Sequence, residues 1–248
     1  EGERPPLLIK CHGGPTGATS TAQDLRTQFW TSRGFAVRDV NYRGSTGYGR
    51  AYRRSLYDRW GVADVEDCVA GARALAEAGR IDGERLLISG GSAGGYTVLC
   101  ALTFTDAFRA GGSHYGIGDL ESMFETTHKF EARYDHSLLG EGAAERGLFR
   151  SRSPLHHADR ITCPVIFFQG ARDRVVPPEQ SQAMVAALRA QGLPVAYLEY
   201  PDEAHGFRRA ESVQESLEAE LYFFCRALGL PPPAGVRPVP IENAAALD

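Results

Sequence analysis

The sequence predicts an α/β protein with a mostly parallel, doubly wound sheet and helices on both faces. Short apolar runs alternate with segments of helical spacing along most of the chain, and the apolar runs end in glycine-rich or polar loops. The 248 residues, 43% hydrophobic and 23% charged, suit one domain around a single core. Because parallel strands need crossover connections, this alternation predicts helices over both faces of the sheet.

The first part of the chain begins the alternation. Residues 7–10 form an apolar run that predicts a strand, and residues 22–32 predict a helix that ends at Gly34. Residues 35–40 predict a second strand, which leads into the glycine-rich loop 41–49.

A helix, a strand and a sharp turn follow. From Asp64 onward, apolar residues recur every three or four positions and form one helix face, with Gly79 placed to end the helix. Residues 85–89 predict a short buried strand. The turn at 90–95 then gives way to an apolar helix predicted over 96–104.

The last part of the chain repeats the pattern. Residues 165–168 and 195–200 predict strands, with a helix over 179–191 between them and a long final helix whose apolar residues span 213–228. Residues 115–154 break the rhythm, because aromatic, charged and glycine residues are mixed there. We expect an inserted helical region near the functional site.

Composition argues against several partner classes. A net charge of -4 without a Lys/Arg run gives no footprint for nucleic acid or an anionic membrane, and no stretch approaches the roughly 18 apolar residues of a membrane span. The five scattered cysteines lack the spacings of zinc sites or disulfide scaffolds and predict buried thiols. We therefore expect a cytoplasmic protein without nucleic-acid or membrane partners.

The turn after the third predicted strand carries the strongest chemical motif. Residues 90–94, Gly-Gly-Ser-Ala-Gly, satisfy G-x-S-x-G between a predicted strand and a predicted helix, as the nucleophile elbow of the α/β-hydrolase fold requires. Small neighbours are needed because the elbow strains the serine backbone. Ser92 is therefore the predicted nucleophile, although a glycine-rich turn capped by serine would leave the same pattern.

A nucleophilic serine needs a base, and the base needs an acid to orient it. In the α/β-hydrolase order, acid and base follow the serine on loops after later strands, which selects Asp173 and His205. The other six histidines precede Asp173, so His205 alone fits the order. Asp202 is the competing acid, but it lies only three residues before His205 on the same loop.

Acyl transfer also needs donors for the developing oxyanion. The amide of Ala93, directly after the nucleophile, is one candidate. The loop after the first strand supplies the other, with Gly14 as the choice and Gly13 as the fallback. The competing interpretation is that this loop is only a turn.

Six blocks together resemble the catalytic domain of the prolyl oligopeptidase family of serine peptidases, particularly its acylaminoacyl-peptidase and dipeptidyl-aminopeptidase-like members. The blocks are HGGPT at 12–16, NYRGSTGYGR at 41–50, WGVADVED at 60–67, GGSAGGY at 90–96, GARDRVVPPEQS at 170–181 and YPDEAHGF at 200–207. The resemblance spans nearly the whole chain. It implies hydrolysis of short peptides through an acyl-enzyme on Ser92, without a metal or organic cofactor.

The chain also departs from that family. His12 stands where prolyl and dipeptidyl members place an oxyanion-hole tyrosine, which favours a two-amide hole, and Val175 replaces a polar residue typical of dipeptidyl peptidases. Family members carry a gating N-terminal β-propeller, so we expect an upstream propeller and further strands in a longer parent polypeptide. Residues 1–230 are then the catalytic domain, and 231–248 a tail that is extended or mobile.

Residues around the inserted region are candidates, as a group, for an apolar pocket beside Ser92, although a single aromatic residue at such a position is more often part of the core than of a pocket. The predicted substrate-binding residues are Tyr96, Tyr115, Met123, Phe124 and Val176, with Phe130 and Tyr134 nearby. Three acidic residues, which either attract a substrate ammonium group or form a solvated face, are Asp119, Glu121 and Glu125.

The leading functional prediction is therefore a serine peptidase acting on short peptides. A carboxylesterase would use the same triad on the same fold, and a catalytically silent interaction domain would keep the fold without the activity. The sequence does not determine the oligomeric state, and a homo-oligomer is compatible with it.

Overall fold

The computed structural model describes residues 4–126, 134–143 and 147–247. Six parallel strands form one sheet in the order β2-β1-β3-β4-β5-β6. The strands are β1 Leu7–Cys11, β2 Ala36–Val40, β3 Leu86–Gly91, β4 Ala110–His114, β5 Val165–Gly170 and β6 Val195–Tyr200. The helices are α1 Leu25–Thr31, α2 Gly49–Arg54, α3 Ala63–Glu77, α4 Ala93–Phe104, α5 Leu120–Thr126, α6 Tyr134–Leu139, α7 Leu148–Arg152, α8 Pro178–Ala190 and α9 Ala210–Ala227, with 3-10 turns at Pro154–Arg160 and Ala244–Leu247.

Alternating strand residues supply two cores, one on each face of the sheet. Ile88 and Phe167 lie in the core that α3, α4 and α8 cover, whereas Leu87 and Phe168 lie in the core under α1 and α9. Because successive side chains of a strand point to opposite faces, near-continuous apolar strands are what a doubly covered parallel sheet needs. The predicted α/β fold with helices on both faces is confirmed.

The sequence reasoning missed strand β4, which lies between β3 and β5 in the sheet. Its sequence, AGGSH, has no apolar run to indicate a strand. Its small residues let helices approach closely: a Cβ on Gly111 would lie 2.6 Å from Leu102 Cδ1. Packing, not local propensity, makes this segment a strand.

Helix α4 begins three residues before the predicted start. Ser92 is its N-cap, so the helix starts at Ala93, immediately after the turn. The inserted region contains α5, α6, α7 and a 3-10 segment, and no strand occurs in its described parts. Within the described ranges, every helix is too short or too polar to cross a bilayer.

The C-terminal tail lies against the α9 face of the sheet. Val236, Val239 and Ile241 pack on that core. Glu242 pairs with Val195 at the start of β6, through N–H···O bonds of 3.1 and 2.8 Å. The tail is thus extended and docked in this structure.

Candidate active site

Ser92 lies on the turn from β3 into α4. Its φ of 58° and ψ of -125° put a non-glycine residue in a strained backbone conformation, as a nucleophile elbow requires. The turn leaves no room for a larger neighbour, because a Cβ on Gly94 would collide with the carbonyl oxygen of Cys11. The Ser92 amide donates to the His114 carbonyl at 2.9 Å, which ties the turn to the end of β4.

Asp173 follows β5 and its side chain has no solvent exposure. One carboxylate oxygen, Oδ1, accepts hydrogen bonds from the amides of Val175 and Val176, both at 2.9 Å. The other, Oδ2, lies 2.8 Å from His205 Nδ1. Local backbone donors therefore fix the carboxylate and leave Oδ2 directed at the histidine.

His205 joins the acid to the serine. Its Nε2 lies 2.9 Å from Ser92 Oγ, and its Nδ1 faces Asp173. Because an ionised carboxylate only accepts hydrogen bonds, Nδ1 carries the proton and Nε2 is the free acceptor for the serine hydroxyl. The structure thus brings the three predicted residues into one hydrogen-bonded chain.

The loop that carries His205 is held by a residue the sequence reasoning missed. Glu203 is buried and accepts from the amides of Arg208 and Arg209, at 3.0 and 2.9 Å, as the chain enters α9. The competing acid, Asp202, points to the surface and pairs with Arg172 at 2.7 Å. The structure places Asp173, not Asp202, beside the histidine.

The loop after β1 runs beside Ser92. A Cβ on Gly13 would lie 3.5 Å from Ser92 Cβ. Among the described residues, the amides of Gly13, Gly14 and Ala93 form no hydrogen bond within the protein. Ala93 starts α4, and the first amides of a helix lack intrahelical acceptors. The free amides of Ala93 and Gly13 therefore lie beside the serine, and the free amide of Gly14 is the next along the same loop.

His12 anchors this loop. Its ring stacks on Tyr42 at 4.2 Å, its Nε2 lies 2.7 Å from Ser45 Oγ, and its Nδ1 lies 2.9 Å from the Gly13 carbonyl oxygen. Tyr42 also donates from its hydroxyl to the His12 carbonyl. Burial lowers the pKa of His12. The contacts of the His12 ring thus hold the loop after β1 in place.

The predicted pocket residues separate into two groups. Tyr115 has its ring 5.0 Å from that of His205 and packs edge-on to Phe207. Phe124 stacks on Phe149 at 5.4 Å in the inserted region. Phe130 lies outside the described residues. The ring of Tyr115 therefore lies against His205, whereas that of Phe124 packs within the inserted region.

The others are buried. Tyr96 was predicted to bind substrate, but its side chain is fully buried against Trp60 and its hydroxyl donates to the Arg152 carbonyl. This prediction is wrong in the structure, because the first turn of α4 directs Tyr96 into the core rather than toward the serine. Met123 and Val176 are also almost fully buried.

Of the three acidic residues considered for binding an ammonium group, Asp119 is engaged within the protein. Its Oδ1 accepts from the Glu121 amide and from Ser153 Oγ, and lies 3.5 Å from His156 Nε2. These contacts favour a structural role for Asp119. Glu121 is exposed, and the side chain of Glu125 lies outside the described part of the chain.

A second polar cluster lies behind Ser92 and was not predicted. Glu220 on α9 accepts from Ser89 Oγ at 2.6 Å and lies 3.1 Å from His114 Nε2. The cluster borders a cavity of about 870 Å³ on the α1–α9 face. Residues 131 positions apart meet here, so no local sequence signal could have revealed the contact.

An all-parallel sheet with a serine on the turn after β3, an acid after β5 and a histidine after β6 defines an α/β-hydrolase. The sequence profile described as the prolyl oligopeptidase family matches residues 21–231. The chain belongs to the prolyl oligopeptidase family of serine peptidases, as the six sequence blocks predict.

Individual relatives agree with this assignment. Dipeptidyl aminopeptidase BIII of Pseudoxanthomonas mexicana is 34% identical over 90% of this chain and 33% of its own length. An acylamino-acid-releasing enzyme of Arabidopsis thaliana is 30% identical over 87% of this chain and 29% of its own. The chain spans about a third of the length of these relatives.

Solved structures show the same architecture. A puromycin-hydrolyzing peptidase of Mycobacterium tuberculosis superimposes with a TM-score of 0.94 and 52% identity, covering 98% of this chain and 37% of that one. An acylaminoacyl peptidase of Pyrococcus horikoshii gives a TM-score of 0.85 at 28% identity, covering 92% and 38%. The described chain therefore corresponds to one part of larger peptidases.

Proposed function

We propose that the chain is the catalytic domain of an oligopeptidase that cleaves short peptides through an acyl-enzyme on Ser92. The observation that carries this proposal is the unbroken hydrogen-bonded chain from Ser92 Oγ through His205 to the buried Asp173 carboxylate, with contacts of 2.9 and 2.8 Å. Family membership supports the substrate class, and this geometry supports the proposed chemistry.

Acylation uses the chain in one direction. As Ser92 Oγ attacks the scissile carbonyl carbon, its proton passes to His205 Nε2, and Asp173 stabilises the imidazolium that forms. The carbonyl oxygen becomes an oxyanion, for which the free amides of Ala93 and Gly14 are the proposed donors. The imidazolium then gives its proton to the leaving amine, and the C–N bond breaks.

Deacylation repeats the steps with water. His205 Nε2 takes a proton from the attacking water molecule, the same two amides hold the second oxyanion, and the proton returns to Ser92 Oγ as the acid product leaves. All the proton transfers pass through one nitrogen. A metal or organic cofactor has no step to perform in this scheme.

The proposed substrate follows from the names of the relatives and from the apolar residues near Ser92. The relatives are named as a dipeptidyl aminopeptidase, an acylamino-acid-releasing enzyme and a puromycin-hydrolyzing peptidase, so we infer a peptide or aminoacyl amide with an apolar group near the cleaved bond. Tyr115 and Phe124 are the proposed apolar contacts, with Met123 and Val176 behind them. An upstream β-propeller in the parent polypeptide would gate access, and we expect the parent protein in the cytoplasm.

Active-site labelling tests the proposal. The full-length parent protein is treated with a fluorophosphonate, and the adduct is located by mass spectrometry, with Ser92→Ala as the control variant. We expect one adduct, on Ser92, that is absent from the control. A folded protein that takes no label would overturn the catalytic assignment and favour a silent interaction domain.

A substrate panel then separates peptidase from esterase. The values of kcat/KM are compared for peptide anilides, for esters of the same acyl group and for puromycin. The enzyme is unlabelled and comes from a preparation that has been shown to react with the fluorophosphonate. We expect turnover of anilides with several residues and of puromycin. Turnover of esters alone would make the protein a carboxylesterase on the same triad.

A further inference from the structure

A buried carboxylate lies behind the nucleophile, and the proposed mechanism does not use it. Glu220 is 3% exposed, on the inner side of α9. Its Oε1 accepts from Ser89 Oγ at 2.6 Å and lies 3.1 Å from His114 Nε2. A buried carboxylate is costly unless hydrogen bonds satisfy it, so these contacts must be maintained in the folded protein.

Both partners of Glu220 are close to Ser92 along the backbone. Ser89 lies three residues before Ser92 on β3, and the carbonyl of His114 accepts the Ser92 amide at 2.9 Å. The His114 ring also stacks on Phe168 at 4.4 Å, which fixes its plane. Glu220 therefore holds the side chain of His114, and the main-chain carbonyl of His114 in turn holds the amide of Ser92.

The sheet leaves a defined space for this carboxylate. Gly112 lies directly under it on β4, and a Cβ at that position would collide with Glu220 Oε1. The same Cβ would lie 3.4 Å from Phe224, an ordinary contact distance. The small residues that hid β4 from sequence reasoning are thus the ones that admit the Glu220 side chain.

Helix α9 also begins at the loop of the base. Glu203 accepts from the amides of Arg208 and Arg209 just before the helix starts, and His205 lies between these groups. One rigid helix is therefore tied at its start to the His205 loop and, through Glu220, to the strands behind Ser92. Rigid supports of this kind keep catalytic groups in register.

We propose that Glu220 is a positioning residue that sets the geometry between Ser92 Oγ and His205 Nε2. This inference rests on the proposed function, and Glu220 touches none of the reacting atoms. Removing its carboxylate leaves Ser89 and His114 without an acceptor and frees the elbow to shift relative to α9. Small misplacements at a reacting centre lower the rate of the chemical step more than substrate binding.

The test uses the full-length parent protein and the variant Glu220→Leu, which keeps a side chain of similar size but removes both acceptor oxygens. We expect kcat on a peptide anilide to fall about tenfold with KM unchanged, and the fluorophosphonate labelling rate to fall by a similar factor. Glu215→Leu, at an exposed position on the same helix, is the matched control and should behave as wild type.

A second variant reaches the same carboxylate from the sheet. In Gly112→Ala the new methyl group displaces the flexible end of Glu220, so we expect the same fall in kcat at unchanged KM. Ser89→Ala removes one donor and should give a smaller loss. Combined with Glu220→Leu, it should add less than its separate effect, because both changes break the same Ser89–Glu220 contact.

The outcomes separate this inference from the proposed function. Labelling of the wild-type protein at Ser92 tests the function by itself. With that label present, a folded Glu220→Leu or Gly112→Ala protein with wild-type kcat and labelling rate overturns the positioning role alone. A rise in KM with unchanged kcat, or an equal loss in Glu215→Leu, overturns it as well.

Discussion

At the scale of single residues, Asp173 is held more firmly than either of its proposed partners. Two backbone amides and His205 Nδ1 occupy its oxygens, and the side chain is fully buried, whereas that of His205 is 23% exposed. The proposed role of Asp173 is therefore to choose the tautomer of His205 and to stabilise its charged form.

Asp173→Asn tests that role. The amide can present an N–H to His205 Nδ1, which favours the tautomer with a proton on Nε2 and leaves Ser92 without a base. We expect kcat to fall about 10³- to 10⁴-fold in steady-state kinetics, with a small change in KM. The control is Asp202→Asn, which alters an exposed carboxylate three residues before His205. Equal losses in both variants would contradict the assignment of the acid.

Sequence reasoning reaches residues that a motif or chain order identifies, and misses residues that packing alone brings together. An elbow motif and the order of the strands restrict where Ser92, Asp173 and His205 can lie, and in the structure these three side chains lie within hydrogen-bond distance of one another. Glu220 was missed because its partners are on distant strands. Tyr96 was misplaced because proximity to Ser92 in sequence does not determine which way a helical side chain points.

At the scale of elements, helix α3 begins at a buried acid. Asp64 accepts from the Gly61 amide at 2.7 Å and from Thr97 Oγ1 at 2.5 Å, which joins α3 to α4. Burial raises the pKa of Asp64 from 3.8 to about 6, despite these bonds. Ionised Asp64 is therefore a source of instability that depends on pH.

Proton binding to Asp64 determines whether the free energy of unfolding rises or falls with pH. Between about pH 4 and pH 6 the folded protein holds a proton on Asp64 that the unfolded chain has lost, so the free energy of unfolding decreases as pH rises through this window. The decrease amounts to roughly 3 kcal/mol for a shift of this size. Asp64→Asn should lack it, as shown by denaturant unfolding across that range. If the exposed control Asp106→Asn removes the pH slope equally, Asp64 is not its source.

Strand β4 differs in composition from the strands that the sequence predicts. Residues 7–10 and 195–200 were predicted as strands because each is apolar enough to be buried on both faces. β4 is buried on both faces too, but it fills the space with glycine, alanine and serine and lets the helices supply the apolar surface. A local apolar pattern predicts strands whose own side chains fill the core. It misses a strand such as β4, whose small residues leave space for side chains from the neighbouring helices.

At the scale of the whole molecule, the tail after α9 packs on the core that lies under α1 and α9. The sequence shows little apolar pattern there and predicts a tail that is extended or mobile. Three apolar residues spaced along it nevertheless pack on the core, and Arg189 on α8 bonds to Glu242 at 2.6 Å. Such isolated apolar contacts carry no periodic signal in the sequence, so only the packed structure reveals them.

Replacing Val236, Val239 and Ile241 together with alanine tests whether this docking stabilises the domain. We expect the free energy of opening to fall by roughly 3 kcal/mol, taking about 0.8 kcal/mol for each buried CH₂ group and half-burial of these side chains. Hydrogen exchange at the amides of β6 is the measurement, because it reports this domain alone, whatever else the full-length protein carries. Arg237→Ala, an exposed residue in the same stretch, is the control and should leave the exchange unchanged.

Because the triad lies at the opposite ends of β5 and β6 from the Val195–Glu242 bridge, kcat should hold in the triple variant at temperatures where the domain stays folded. Exchange equal to that of the control would mean that the tail does not stabilise this face in solution.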